Sequence, residues 1–144
     1  MPIVRPATPA VTAGGSGFAL GRHYAAGVTE LFHVTDRVTW LEAAGMGEYR
    51  MSTRGITLAD QGFIHCSLRH QLAAIVELVY GDVTDDRLVV LIIDSNDVPA
   101  PVRFEAAEPG GEEYPHIYGA LPVSAVLDTI AVVRDAAGNI VLPS

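Results

Sequence analysis

Six consecutive apolar residues, Leu88-Val89-Val90-Leu91-Ile92-Ile93, do most to limit the folds open to this chain. Successive side chains of a strand point to opposite faces of its sheet, so a strand with one wet face alternates apolar and polar residues. An unbroken apolar run is a strand covered on both faces, at the centre of its sheet. Two apolar layers must therefore surround it. One is a predicted helix over 68–80, where Leu68, Leu72, Ile75, Val76 and Val79 recur at three- and four-residue spacing, with Ser67 as its cap and Gly81 as its stop. A second helix is expected after Thr35 or Asp36, running through Ala44 and ending at Gly45. Val38, Leu41 and Ala44 form its packed side, with Trp40 on the neighbouring stripe.

Further strands are expected at 31–34, 48–52 and 63–66, and at 102–106 and 114–117 across a Pro-Gly-Gly turn. Pro122 opens a short helical turn to Leu127, and residues 129–142 read as a closing hairpin around Ala137-Gly138-Asn139. No internal repeat or second domain is visible. The expected class is α+β, a single domain over 29–144 with two main helices on a largely antiparallel sheet. Residues 1–28 are rich in small residues and proline without a sustained period, and read as a flexible or loosely docked extension.

Composition narrows the function. The chain has 144 residues and is 49% hydrophobic, enough for a real core. No apolar run approaches the roughly 20 residues that span a bilayer. The amino-terminal stretch lacks the greasy core of a secretory signal. A cytoplasmic protein without a membrane partner is expected. The net charge of −8 argues against nucleic acid, whose phosphates need clustered basic residues. A single cysteine, Cys66, rules out an internal disulfide and a multi-cysteine zinc site. All nine cationic side chains are arginine, so no lysine is present for Schiff-base chemistry.

Three histidines stand in strand-like apolar segments. Alternation pairs His33 with Thr35, His65 with Ser67 and His116 with Tyr118, and turns Phe32, Val34, Ile64, Cys66 and Ile117 the other way. Histidine gives or takes a proton near neutral pH without a perturbed pKa. Three such faces lining one cleft would make His65, His33 and His116 candidate acid/base residues, with Thr35, Ser67 and Tyr118 as binding hydroxyls. Glu105 and Glu113 are candidate carboxylates, Glu113 the one carried forward as a catalytic residue. Arg50 and Arg103 could hold an anionic group. No metal is expected, because the histidines are far apart in sequence and Cys66 faces away from His65. A free buried cysteine is ordinarily a small hydrophobe.

The segments Leu31-Phe32-His33-Val34-Thr35, Gln61-Gly62-Phe63-Ile64-His65-Cys66-Ser67, the run from Leu88 to Asp94, Arg103-Phe104-Glu105 and Tyr114-Pro115-His116-Ile117-Tyr118-Gly119 together resemble domain-of-unknown-function family 952. The resemblance implies a fold similar to ADP-ribosyltransferases. In that light His33-Val34-Thr35 looks like the His-Gly-Thr motif of their first strand, with Val34 in place of glycine. His65 stands where RNA 2′-phosphotransferases of that fold carry a histidine. The implied activity is acid/base transfer or hydrolysis on a nucleotide-like or ADP-ribose-like small molecule, with NAD as a possible cofactor. Two alternatives stay open: a cofactor-free isomerase, lyase or cyclase acting on a specialised metabolite, and a non-catalytic ligand-binding module.

Overall fold

The apolar run lies where its pattern requires, in the middle of a sheet. The structure is a computed structural model and describes Ile3–Val4 and residues 29–142. In chain order the strands are β1 (Ile3–Val4), β2 (Glu30–Asp36), β3 (Glu48–Tyr49), β4 (Met51–Thr53), β5 (Ile56–Thr57), β6 (Ile64–His65), β7 (Leu88–Asp94), β8 (Val102–Ala106), β9 (Glu113–Ile117), β10 (Leu121–Pro122), β11 (Val126–Ala131), β12 (Val133–Arg134) and β13 (Ile140–Val141). The helices are α1 (Arg37–Met46), α2 (Leu58–Gln61) and α3 (Arg69–Tyr80), with 3₁₀ turns at Ser95–Asp97 and Val123–Ala125.

β7 pairs with β2 on one side and β11 on the other, both antiparallel. Its alternate residues enter two different cores. Val89, Leu91 and Ile93 pack with Leu31, Tyr49, Ile64 and Ile117, while Leu88 and Val90 pack with Phe32, Val34 and the α3 residues Leu72, Val76 and Tyr80. A second sheet runs β1-β8-β9-β6, again antiparallel throughout. The two sheets meet at one rung, where the amides and carbonyls of Phe32 and Ser67 exchange hydrogen bonds of 2.8 Å. The fold is thus mixed, with mostly antiparallel sheet and three helices among the described residues. None of these helices is long and apolar enough to cross a membrane.

Several local expectations change. Asp36 caps α1 by accepting from Val38 N–H, but the helix passes Gly45 and stops at Gly47, whose φ of 93° suits the left-handed turn. Its packed stripe is Thr39, Trp40 and Ala43, leaving all three expected residues, Val38, Leu41 and Ala44, exposed. The reason is phase: α1 leaves β2 with Arg37 at its start, and the 100° step turns positions 38 and 41 outward. Ser67 does not cap α3, because both its backbone groups belong to the rung with Phe32. The Leu68 amide is instead covered by Gln71 Oε1 at 2.9 Å. Gly81 follows α3 in a right-handed conformation. The stretch 48–52 divides into β3 and β4, which pair with different partners. The helical turn after Pro122 ends at Ala125, where β11 takes over. The extension expected over 1–28 lies outside the described residues except at β1, whose backbone pairs with Phe104 and Arg103.

Candidate functional site

The hairpin of β8 and β9 sets the registry of the site. Arg103 lies opposite His116 and Glu105 opposite Tyr114, with the turn at Pro109-Gly110-Gly111 between the strands. Diagonal neighbours across such a pair are within reach of long side chains. Glu105 therefore meets His116, and its Oε1 accepts from His116 Nδ1 at 2.7 Å and from the Tyr118 hydroxyl at 2.6 Å. β6 pairs on the other edge of β9, placing His65 opposite His116. The two imidazoles stand 5.3 Å apart, edge to face. Phe63 stacks on His116 at 4.0 Å and also touches His65 and Tyr118. As alternation predicted, Ile64, Cys66 and Ile117 turn into the opposite core.

These side chains open onto a cleft of about 1020 Å³ between this sheet and α3. His65, Ser67, Glu105, Glu113, Tyr114 and His116 supply its polar groups, and Phe63, Ile75, Leu78 and Val79 much of its apolar wall. Ser52, fully buried on β4, holds the other side of His65: its Oγ is 3.0 Å and its carbonyl 3.4 Å from Nδ1. A carbonyl can only accept, so Nδ1 carries the proton and Nε2 keeps its lone pair. His116 Nδ1–H likewise donates to the Glu105 carboxylate. Among the described residues, neither Nε2 has a hydrogen-bond partner. Desolvation, and then the charge of His116, hold the His65 pKa below the ordinary 6.5. Burial opposes the charge on Glu105, yet the hydrogen bonds from Tyr118 and His116 hold its carboxyl below the usual range.

His33 lines the inner wall but is only 4% exposed, and its ring nitrogens are engaged. Nδ1 donates to the His65 carbonyl at 2.5 Å, and Nε2 lies 2.8 Å from Tyr49 Oη, which lies 2.8 Å from Thr35 Oγ1. Burial drives its pKa down to about 4, leaving the ring neutral. With Nδ1 donating, Nε2 must accept the Tyr49 proton, and the Thr35 hydroxyl then donates to Tyr49. His33 and Thr35 thus form a buried chain that ties the main chain of His65 to β2. Burial also pushes the Cys66 thiol well above its ordinary pKa.

Of the residues singled out in the sequence, the structure gathers His65, His116, Ser67 and Glu113 around the cleft, with Tyr118 behind His116. Arg103 stacks over Tyr118 at 4.4 Å, and Arg50 pairs with Glu48 on the surface. Phe63, Ser52 and Tyr49 escaped sequence reasoning, and Glu105 was legible as a carboxylate but not as the partner of His116. The hairpin register was the signal: placing Glu105 and His116 on one face follows from alternation across the Pro-Gly-Gly turn. Among the described residues, no group of three or more His, Cys, Asp or Glu side chains could hold a metal ion.

Residues 34–129 match the family model described as Protein of unknown function (DUF952). The chain belongs to this family. The crystal structure of protein CC0527 from Caulobacter crescentus is similar to this DUF952 chain, with a TM-score of 0.66 and 26% identity over 79% of this chain and 95% of that one. The solution NMR structure of CC0527 gives a TM-score of 0.56 and 24% identity, over 76% and 90%. No curated protein matches the chain. The DUF952 match takes in His65 and His116, together with Glu105 and Tyr118.

Proposed function

We propose that this DUF952 protein is an acid/base enzyme acting on a small molecule, with His65 and His116 as its proton-moving pair. The observation that carries this reading is the arrangement of two imidazoles 5.3 Å apart, each fixed through Nδ1 and each left with an unpartnered Nε2 in one cleft. His65 is the base: it is held neutral, and Ser52 fixes its tautomer. His116 is the acid, its ring oriented through Nδ1 by the Glu105 carboxylate. Phe63 keeps the two rings in place and keeps water from their faces. Transfer, hydrolysis, isomerisation, elimination and cyclisation all need one proton taken and one given, which such a pair supplies. An ADP-ribosyltransferase-like scaffold belongs to the same proposal. It draws support from β6 leading directly into α3 beside His65, and from His33 on β2.

Proton abstraction from nitrobenzisoxazole, whose ring opens to a coloured phenoxide when its C–H proton is removed, tests the pair without knowledge of the natural substrate. The expected outcome is a saturable rate above that of free imidazole at equal concentration. Its acid limb should lie below pH 6.5, because the lowered His65 pKa keeps the base unprotonated further into acid. H65A and H116A should each reduce the rate by about a hundredfold or more. An unchanged rate in both variants sinks the assignment.

A further inference from the structure

We infer that the cleft takes an uncharged, largely apolar organic molecule bearing no phosphate or carboxylate. The inference rests on the cleft described above and adds the chemical class of its occupant. The volume of about 1020 Å³ suits a molecule of several fused or linked rings. Its walls are Phe32 and Val34 on β2, Phe63 just before β6, and Ile75, Leu78 and Val79 on α3. Leu78 is 79% exposed at the mouth, where it packs against no core and presents apolar surface to whatever enters.

The charges point the same way. No arginine lines the cleft, whereas Glu105, Glu108 and Glu113 do. Arg54 and Arg87 are engaged by Asp82 and Asp85, and Arg103 stacks on Tyr118 behind the site. Arg69 lies over the Phe32 ring at 5.5 Å. The amino end of α3 offers a phosphate a favourable dipole. That end already faces a carboxylate: Gln71 Nε2 donates to Glu112 Oε2 at 2.9 Å and to the Glu113 carbonyl at 2.8 Å. An anion entering here gives up hydration, meets carboxylates, and finds no arginine in return. An uncharged ring system loses little hydration and covers the exposed apolar wall.

Naphthol, naphthyl phosphate and ADP-ribose, titrated calorimetrically into the intact protein, separate the classes, with ring-proton shifts of His65 and His116 reporting the site. Naphthol should bind at the two histidines about tenfold or more tighter than naphthyl phosphate, with ADP-ribose weakest. L78R, at a residue whose exposure makes it safe for folding, should narrow the naphthol preference several-fold by placing a guanidinium at the mouth. Tighter binding of naphthyl phosphate or ADP-ribose to the native protein overturns the inference. So does naphthol that fails to saturate or shifts residues elsewhere. H65A and H116A should keep naphthol binding while losing proton abstraction, so this inference and the proposed catalytic pair fail separately.

Discussion

The buried imidazole of His33 makes the fold sensitive to acid. Its pKa is about 4 in the folded chain against an ordinary 6.5, so below pH 6.5 the unfolded chain binds the extra proton and the folded chain does not. The stabilising effect is complete above pH 6.5 and is lost as the pH falls to about 4, below which it changes no further. At about 1.4 kcal/mol per pH unit, the loss over that window is roughly 3 kcal/mol. Urea denaturation of the native protein and of H33N at pH 7 and pH 4.5 checks this. The native protein should lose most of that amount, and the part owed to His33 should vanish in H33N. An equal loss in both would place the sensitivity elsewhere. At this scale the sequence was partly legible. Alternation put His65 and His116 on a wet face correctly, because their strands have one covered side. It put His33 there too, and it did not anticipate Tyr49, which arrives from β3 and closes the polar face of β2 into the core.

Turns and helix ends decide the elements, and two glycines make opposite predictions. Gly110 sits at φ 79° in the turn between β8 and β9, with open space where a Cβ would go. G110A should therefore destabilise the protein by about 1 kcal/mol, from the backbone conformation alone. Gly45 lies inside α1, also with open space around it. G45A should stabilise by roughly 0.5–1 kcal/mol, since alanine loses less chain entropy in a helix. Thermal or urea unfolding of the two variants gives the signs directly, and shifts of the same sign would contradict the reading. The long elements were readable because each has a strong period: β7 from its apolar run, and α3 from its three- and four-residue spacing. The ends were not. Ser67 has the chemistry of a cap, yet a long-range rung to Phe32 claims its backbone. Gly45 has the chemistry of a stop, yet the helix runs two residues further to the left-handed turn at Gly47. Both outcomes depend on contacts that a local pattern does not contain.

Across the whole molecule, β7 is held by β2 and β11 and covered by both cores, whereas β4 and β5 form a short ribbon with exposed residues from Arg54 to Thr57. Amide hydrogen exchange should be slowest in β7, near the limit set by global unfolding, and orders of magnitude faster in β4 and β5. Equal protection in the two regions would show that the sheets do not differ in stability as their burial implies. The topology that produces this gradient was only half visible beforehand. Antiparallel pairing and class follow from strand length and turns, but the division into two larger sheets joined at one rung, beside three two-stranded ribbons, follows from side-chain packing between distant segments. One part of the cleft wall stands apart from all of this. Residues 106–111 border the ligand space, are exposed from Ala107 to Gly111, and carry none of either core. Selection can therefore rewrite that hairpin tip at little risk to folding, and related chains can diverge in what they admit while keeping the same pair of imidazoles.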